Sequence, residues 1–514
     1  MGKATKITEV QHRSLLKPEY VRLYEQLCSA ILSGQLAPGS RLPSSRQLAG
    51  DRGVSRNTAL AAYDQLIAEG YAETRQGSGT YVARSIPDRI TRPRRIVRTP
   101  WPTHAELSRL SEPSPRADPV PAVLSARGRL LSNLPRMPIA ELPVEVAGGT
   151  AFRVGLPALD QFPIAGWTDI HATAARYPTV RMMRYHDPLG DRRLRKEIAA
   201  HLAIARGIDC SPDQVMVVSG SQHGVDLTAR VLLDPGDAAW LEDPGDLGAR
   251  AALAAAGADI VPVPVDADGM HVATGVARRP AARMAFVTPS HQFPMGVTMS
   301  LERRLALLEW AAQAGAWILE DDQDCEFRYE GRPLAALKSV DENHRVIYVG
   351  TFSRTMFPGL RLGYLVLPPE LMNAFVAVRL STDVHRGTVD QIAMAEFMAR
   401  GGFARHLRRL RKTHGERRGL LVSELARRIP ELIVLPSHSG LHLVARLPGD
   451  RDDVAASRAA AARGIHAWAL STHAMENRQA PALLLGYAGV RPSHMAGAVR
   501  VLAEALRDPK ERHD

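Results

Sequence analysis

Several things this 514-residue chain lacks narrow what it can be. No apolar run reaches the roughly 18 residues that a membrane-crossing helix needs. The opening Met1-Gly2-Lys3-Ala4-Thr5-Lys6 leads into no apolar stretch, which argues against a secretory signal. Cysteine occurs only at Cys28, Cys210 and Cys325, far apart and outside any CxxC or Cys/His cluster. That excludes a disulfide framework and a zinc finger, and a reducing cytoplasm is the expected location. Lysine is scarce in the larger, C-terminal part: between residues 146 and 509 it stands only at Lys196, Lys338 and Lys412.

The chain is too long for one core, so two or more domains are expected. Its formal net charge of +11 is unevenly spread: residues 1–100 carry 16 Lys and Arg against 8 Asp and Glu. A basic N-terminal segment suits a polyanionic partner.

Leu23, Leu27, Ile31 and Leu32 fall near helical spacing, and Gly34, Pro38 and Gly39 end that pattern. A second helix opens at residues 43–49, where Ser44 and Ser45 are available as caps. Gly53-Val54-Ser55 reads as a tight turn, and residues 56–69 as a third helix with Leu60, Tyr63, Leu66 and Ile67 on its inner face. Residues 71–74 and 80–82 then flank Arg75-Gln76-Gly77-Ser78-Gly79 as a hairpin. Helix, helix, turn, helix and hairpin make a winged helix-turn-helix over residues 17–84. Such a unit inserts its recognition helix N-terminus first into the major groove. Arg56, Asn57 and Thr58 then face base edges and phosphates, and Arg46 reaches a phosphate or a guanine. Gly77 and Gly79 let the wing tip approach the DNA backbone. The strings Leu42-Pro43-Ser44-Ser45-Arg46, Gly53-Val54-Ser55-Arg56-Asn57-Thr58 and Gln76-Gly77-Ser78-Gly79-Thr80 resemble the GntR-type DNA-binding domain, so double-stranded DNA is the expected partner.

Residues 85–145 are rich in proline and arginine without amphipathic period and read as a largely extended linker. From about Phe152 strands and helices alternate, which predicts an α/β domain over 146–510 with a mainly parallel central sheet. A helix after Ser300 is expected to turn Leu301, Leu305 and Leu308 inward. A small α+β subdomain is expected from about residue 375. Ligands of such sheets sit at the carboxyl ends of the strands. Four stretches fall there. Ser219-Gly220-Ser221-Gln222 opens a helix whose free N–H groups suit a phosphate, and Glu320-Asp321-Asp322 closes a buried strand. Thr288-Pro289-Ser290-His291-Gln292-Phe293-Pro294 forms a loop, and Thr351-Phe352-Ser353-Arg354 leads into Arg361. No histidine cluster accompanies the acidic strand end, so no metal site is expected.

In order and content these stretches resemble the fold-type-I aminotransferases. Together with the N-terminal module, the whole chain resembles the MocR-type branch of GntR-like regulators. The resemblance implies pyridoxal 5'-phosphate as cofactor, with its phosphate held by Ser219, Gly220, Ser221, Ser353 and Arg361 and its ring nitrogen by Asp321. It implies a homodimer, a small-molecule effector and a substrate-side loop at residues 185–190. Three positions depart from the pattern. Arg354 stands where the family has its Schiff-base lysine, Gln323 where it has a tyrosine on the ring oxygen, and Asp246 where it has a ring-packing tyrosine. A guanidinium stays protonated and can neither attack an aldehyde nor relay a proton, so no catalytic residue is assigned. The expectation is a DNA-binding transcriptional regulator whose second domain dimerises and senses pyridoxal phosphate or an amine, any cofactor being held non-covalently. Two other readings stay open: a working aminotransferase, which Arg354 argues against, and a cofactor-free scaffold that pairs DNA-binding heads.

Overall fold

Serine caps set the geometry of the N-terminal helices. Ser44 accepts from the Gln47 N–H and starts the helix Ser45–Arg52, and Ser55 accepts from the Thr58 N–H and starts Arg56–Ala68. Between them Gly53 takes φ 65°, a left-handed stop that leaves only a short turn. With Glu19–Leu32 ahead and an antiparallel hairpin of β1 (Ala72–Arg75) and β2 (Gly79–Val82) behind, they form the expected winged helix-turn-helix. The computed structural model describes residues 19–75, 78–84, 124–135, 151–176, 180–329, 335–476 and 479–507; Gly77 lies outside them. The chain divides into two compact units, Met1–Val120 and Pro121–Asp514, with the dividing line inside residues 85–145.

The first unit's core joins Leu23, Leu27, Ile31, Leu48, Ala59, Ala62, Tyr63 and Leu66. The predicted inner face of the third helix needs correction: Leu60 is exposed, and Ala59 and Ala62 are buried. The buried set still follows the i, i+3, i+4, i+7 pattern. Alanine marks the face because the helices approach closely there. Leu32, in the last turn of the first helix, is likewise exposed.

In the second unit the strands are β3 (Val215–Val218), β4 (Ala238–Asp243), β5 (Asp259–Asp266), β6 (Gly269–Met270), β7 (Met284–Val287), β8 (Trp317–Asp321), β9 (Val346–Thr351) and β10 (Gly363–Val366). They form one sheet in the order β3-β10-β9-β8-β7-β4-β5-β6. Strands β5, β4, β7, β8 and β9 are mutually parallel, while β10 runs antiparallel to both β9 and β3. Alternate residues face opposite layers. Met216, Leu241 and Phe286 pack under the helices Ser221–Leu232 and Leu247–Ala256, and Trp240, Ala285 and Ile318 pack against Leu307 and Trp310 of Leu301–Ala314. A second sheet of β11 (Ile433–Val434), β12 (His442–Arg446), β13 (Trp468–Ala469) and β14 (Ala482–Gly486) builds the small subdomain.

Two further expectations are corrected. In the helix after Ser300, Leu301 and Leu305 are exposed while Arg304, Leu307, Leu308 and Ala311 are buried. Arg304 can turn inward because its guanidinium donates to the carbonyls of Met299, Pro289 and Ala335 at 2.8–3.1 Å. Within the stretch read as extended, Ala126–Asn133 is helical, capped by Ser125 and packed on Leu247–Ala256.

Under the carboxyl edge of the main sheet lies a buried ion pair. Arg206 ends the helix Arg192–Arg206, and its Nε sits 2.6 Å from Asp322 Oδ2 with both side chains nearly inaccessible. Tyr348 donates to the same carboxylate at 2.6 Å, and Arg206 also donates to Ser290 Oγ at 2.7 Å. Burial opposes the guanidinium charge, but Asp322 together with Cys325, Tyr348 and Glu320 outweighs it and holds Arg206 protonated. Arg206→Ala should therefore strand a buried carboxylate and destabilise this unit by about 3–5 kcal/mol, read from denaturant melts. Arg206→Lys should restore part of the loss.

Candidate functional site

The sheet order gathers the carboxyl ends of β3, β4, β8 and β9 along one edge. There a cavity of about 590 Å³ opens, lined by Ser221, Gln222, Asp246, Asp321, Gln323, Thr351, Ser353, Arg354 and Arg361. From outside the sheet come Arg153, Gly155, Phe293, Phe357 and Trp468. Of the loop at residues 288–294 only Phe293 lines it, because Gln292 is turned away to Glu242 and the Pro244 carbonyl. The loop at 185–190 does not line it: Tyr185 is exposed, and Asp187 pairs with Arg195 at 2.8 Å.

One end of the cavity is built for an anion. Gly220, at φ 85°, precedes the helix Ser221–Leu232 without any side-chain cap, so its first N–H groups are not taken by a capping side chain. Arg361 crosses this turn and donates to the Ser219 carbonyl at 3.0 Å. Its guanidinium lies 3.1–3.3 Å from where a Cβ on Gly220 would be, so the positive φ and this close approach both favour glycine. Arg361 itself sits in the left-handed region at φ 51°, and Ser353 donates its N–H to Thr351 Oγ1 beside it. The sequence-predicted group of Ser219, Gly220, Ser221, Ser353 and Arg361 is thus brought together, although Ser219 contributes its carbonyl to Arg361.

The other end is a chain of polar contacts. Arg354 donates to Gln323 Oε1 at 2.9 Å, and Gln323 donates to Asp321 Oδ2 at 3.0 Å. Asp321 Oδ1 is buried and has no hydrogen-bond partner among the described residues. Burial, then the neighbouring Asp246, push the Asp321 carboxyl well above its ordinary range, with Arg354 pulling the other way. Burial also raises Asp246, which caps Leu247–Ala256 by accepting from the Ala249 N–H at 2.8 Å. Gly155, at φ 77°, lies directly under Arg354: a Cβ there would fall 1.4 Å from the guanidinium. Nothing in the sequence around Gly155 marks it as a site residue, since its role exists only once the chain folds beneath Arg354.

Each of the three lysines lies away from the cavity. Lys196 and Lys412 are exposed on helices, outside the lining residues. Lys338 donates to the Val346 carbonyl at the start of β9, roughly 16 Å of strand from the cavity end of β9.

In the first unit Arg46 and Arg56 are exposed at the starts of the two capped helices and make no ion pair among the described residues. Asn57 is exposed beside Arg56. Thr58 is half-buried, and its hydroxyl shares a 2.8 Å hydrogen bond with Ser55, so it serves the helix start. Arg41, unmarked in the sequence, lies against the wing: a Cβ on Gly79 would sit 3.2 Å from its Nε.

Comparison with known proteins covers both units. Residues 19–82 match the family of bacterial regulatory proteins named gntR, and residues 170–500 match aminotransferase class I and II. A probable rhizopine catabolism regulatory protein, MocR, from Rhizobium meliloti is 38% identical over 490 residues, 95% of this chain and 94% of that protein. The pyridoxine biosynthesis transcriptional regulator PdxR of Corynebacterium glutamicum is 32% identical over 88% of this chain and 87% of its own length. Among solved structures, the α-aminoadipate aminotransferase LysN of Thermus thermophilus, complexed with N-(5'-phosphopyridoxyl)-L-leucine, superposes with a TM-score of 0.67 at 26% identity, covering 74% of this chain and 97% of that one.

Proposed function

This chain is a DNA-binding transcriptional regulator of the MocR-type branch of the GntR family, and we propose that its aminotransferase-like domain is a receptor that holds pyridoxal phosphate without a covalent link. The observation that carries this reading is the two-ended cavity. An uncapped helix start beside Arg361 suits a phosphate, and the unpartnered Asp321 Oδ1 suits a ring N–H. The donor set therefore fits the cofactor at both ends. It does not fit a covalent link, because Arg354 occupies the lysine position and no lysine lines the cavity among the described residues. When bound, the cofactor supplies an electrophilic aldehyde on an electron-withdrawing ring. Around it, this chain's residues bind and orient: Arg354, seated on Gly155 and tied to Gln323, presents a fixed positive charge to a carboxylate-bearing ligand. The relative named for pyridoxine biosynthesis supports a vitamer as effector. Cytoplasmic location agrees with this role, and no described helix is long and apolar enough to cross a membrane.

The receptor is tested by titrating the protein with pyridoxal phosphate and following absorbance before and after borohydride. Wild type should bind saturably without being fixed by the reductant, and Arg354→Lys should become fixable. Absence of saturable binding to wild type would refute the receptor.

The DNA face of this reading rests on Arg46, Arg56 and Asn57. Arg56→Ala should cost about 1–3 kcal/mol in operator affinity, measured by fluorescence anisotropy, if it reads a base. Unchanged affinity would place recognition elsewhere.

The expected homodimer is supported by the exposed apolar side chains Ile164, Met183 and Tyr185. Light scattering on the purified protein should give twice the chain mass, and Met183→Asp should shift it toward monomer. A monomeric wild type would exclude this arrangement.

A further inference from the structure

His291, Asp324 and His442 come from three distant parts of the chain: the loop after β7, the turn after β8 and the first residue of β12. All three are buried, with 4% exposure or less. One potential ligand atom from each lies within 4.8 Å of the other two. His291 Nε2, His442 Nδ1 and Asp324 Oδ1 have no hydrogen-bond partner among the described residues. A buried polar atom left unsatisfied costs about 1–3 kcal/mol, so three in one place point to a shared occupant.

The bonds these rings do make show which atoms remain. His442 Nε2 lies 2.9 Å from the Pro294 carbonyl, which can only accept, so the proton sits on Nε2 and Nδ1 keeps its lone pair. His291 Nδ1 lies 3.0 Å from Ser439 Oγ, and donating there leaves the Nε2 lone pair for the cluster. A ring nitrogen fixed by an outer oxygen acceptor is how metal-ligating histidines are oriented. Gly440, at φ 92°, lets the His291 ring pack close against its backbone: a Cβ there would lie 2.1 Å from Nε2.

We propose that His291, Asp324 and His442 bind one divalent transition-metal ion, for which zinc is the suitable probe. Two neutral imidazoles and one carboxylate form a borderline donor set that leaves a fourth position open. Bonds of about 2.0–2.1 Å at tetrahedral angles separate ligand atoms by about 3.3 Å, so the side chains close in by ångström-scale rotations. The ion ties the small subdomain, through β12, to two loops of the main sheet. It also competes with Arg354, whose Nε lies 3.8 Å from Asp324 Oδ1, and so communicates with the cavity. The assignment of these three ligands does not rest on pyridoxal phosphate being the ligand of the cavity.

The test uses untagged full-length protein, stripped with EDTA and titrated with zinc against a chromophoric chelator. One ion per chain is expected. Asp324→Asn and His442→Gln, close in shape to the originals, should each weaken uptake by at least about tenfold while circular dichroism stays unchanged. No uptake by wild type, or wild-type affinity in both variants, would overturn the proposal. If a variant fails to fold, the wild-type melting midpoint decides. A rise with zinc but not magnesium supports the site, and no rise with zinc overturns it.

Discussion

Glu320, Asp321 and Asp322 are three consecutive carboxylates, all buried, at the end of a central strand. A run like this survives only if each charge finds its own partner or keeps its proton. Glu320 accepts the N–H groups of Leu337 and Lys338 at 2.7 and 2.8 Å, yet burial and the nearby Asp322 still lift it to about 7. Asp322 is met by Arg206 and Tyr348. Both of these carboxylates are used to hold segments that cross the strand. Asp321, between them, is left facing the cavity with one oxygen unpartnered. The strand's alternation, which sends successive side chains to opposite faces, separates the carboxylates that brace neighbouring segments from the one that lines the cavity.

This arrangement explains how arginine can stand at position 354. A guanidinium is larger than an ammonium and planar, and it needs both room and acceptors. Gly155 supplies the room, and Gln323 with Asp324 supplies the acceptors. Gln323 in turn reaches Asp321, so the two departures from the aminotransferase pattern touch each other. Asp246, the third, acts on the same Asp321 carboxyl through its charge. The three residues therefore form one electrostatic set around Asp321. The cavity thus joins an uncapped helix start to Asp321, with arginine at position 354 and no lysine among the described lining residues.

Local chemistry carried much of the reading from sequence. Ser44, Ser55 and Ser300 cap their helices as their types and positions imply, and the strand runs before Ser219, Asp321 and Thr351 are where an alternating α/β pattern puts them. Motif strings a few residues long were legible because a cap, a turn or a phosphate-binding helix start involves only neighbours in the chain. The inner faces were less legible. Leucine drew the prediction toward Leu60, Leu301 and Leu305, whereas close helix approach favoured Ala59 and Ala62, and backbone carbonyls allowed Arg304 to be buried.

By itself, then, the sequence determined two domain types, the helix starts of the DNA-binding unit, the glycine-preceded helix start at Ser221 and the arginine at position 354. Each of these is written in residues adjacent along the chain. Tertiary structure alone decided that Gly155 lies beneath Arg354, that Trp468 closes the cavity from the small subdomain, and that His291, Asp324 and His442 share one buried point. Those meetings depend on strand order and on the docking of one sheet against another, and no local periodicity encodes distances between segments so far apart.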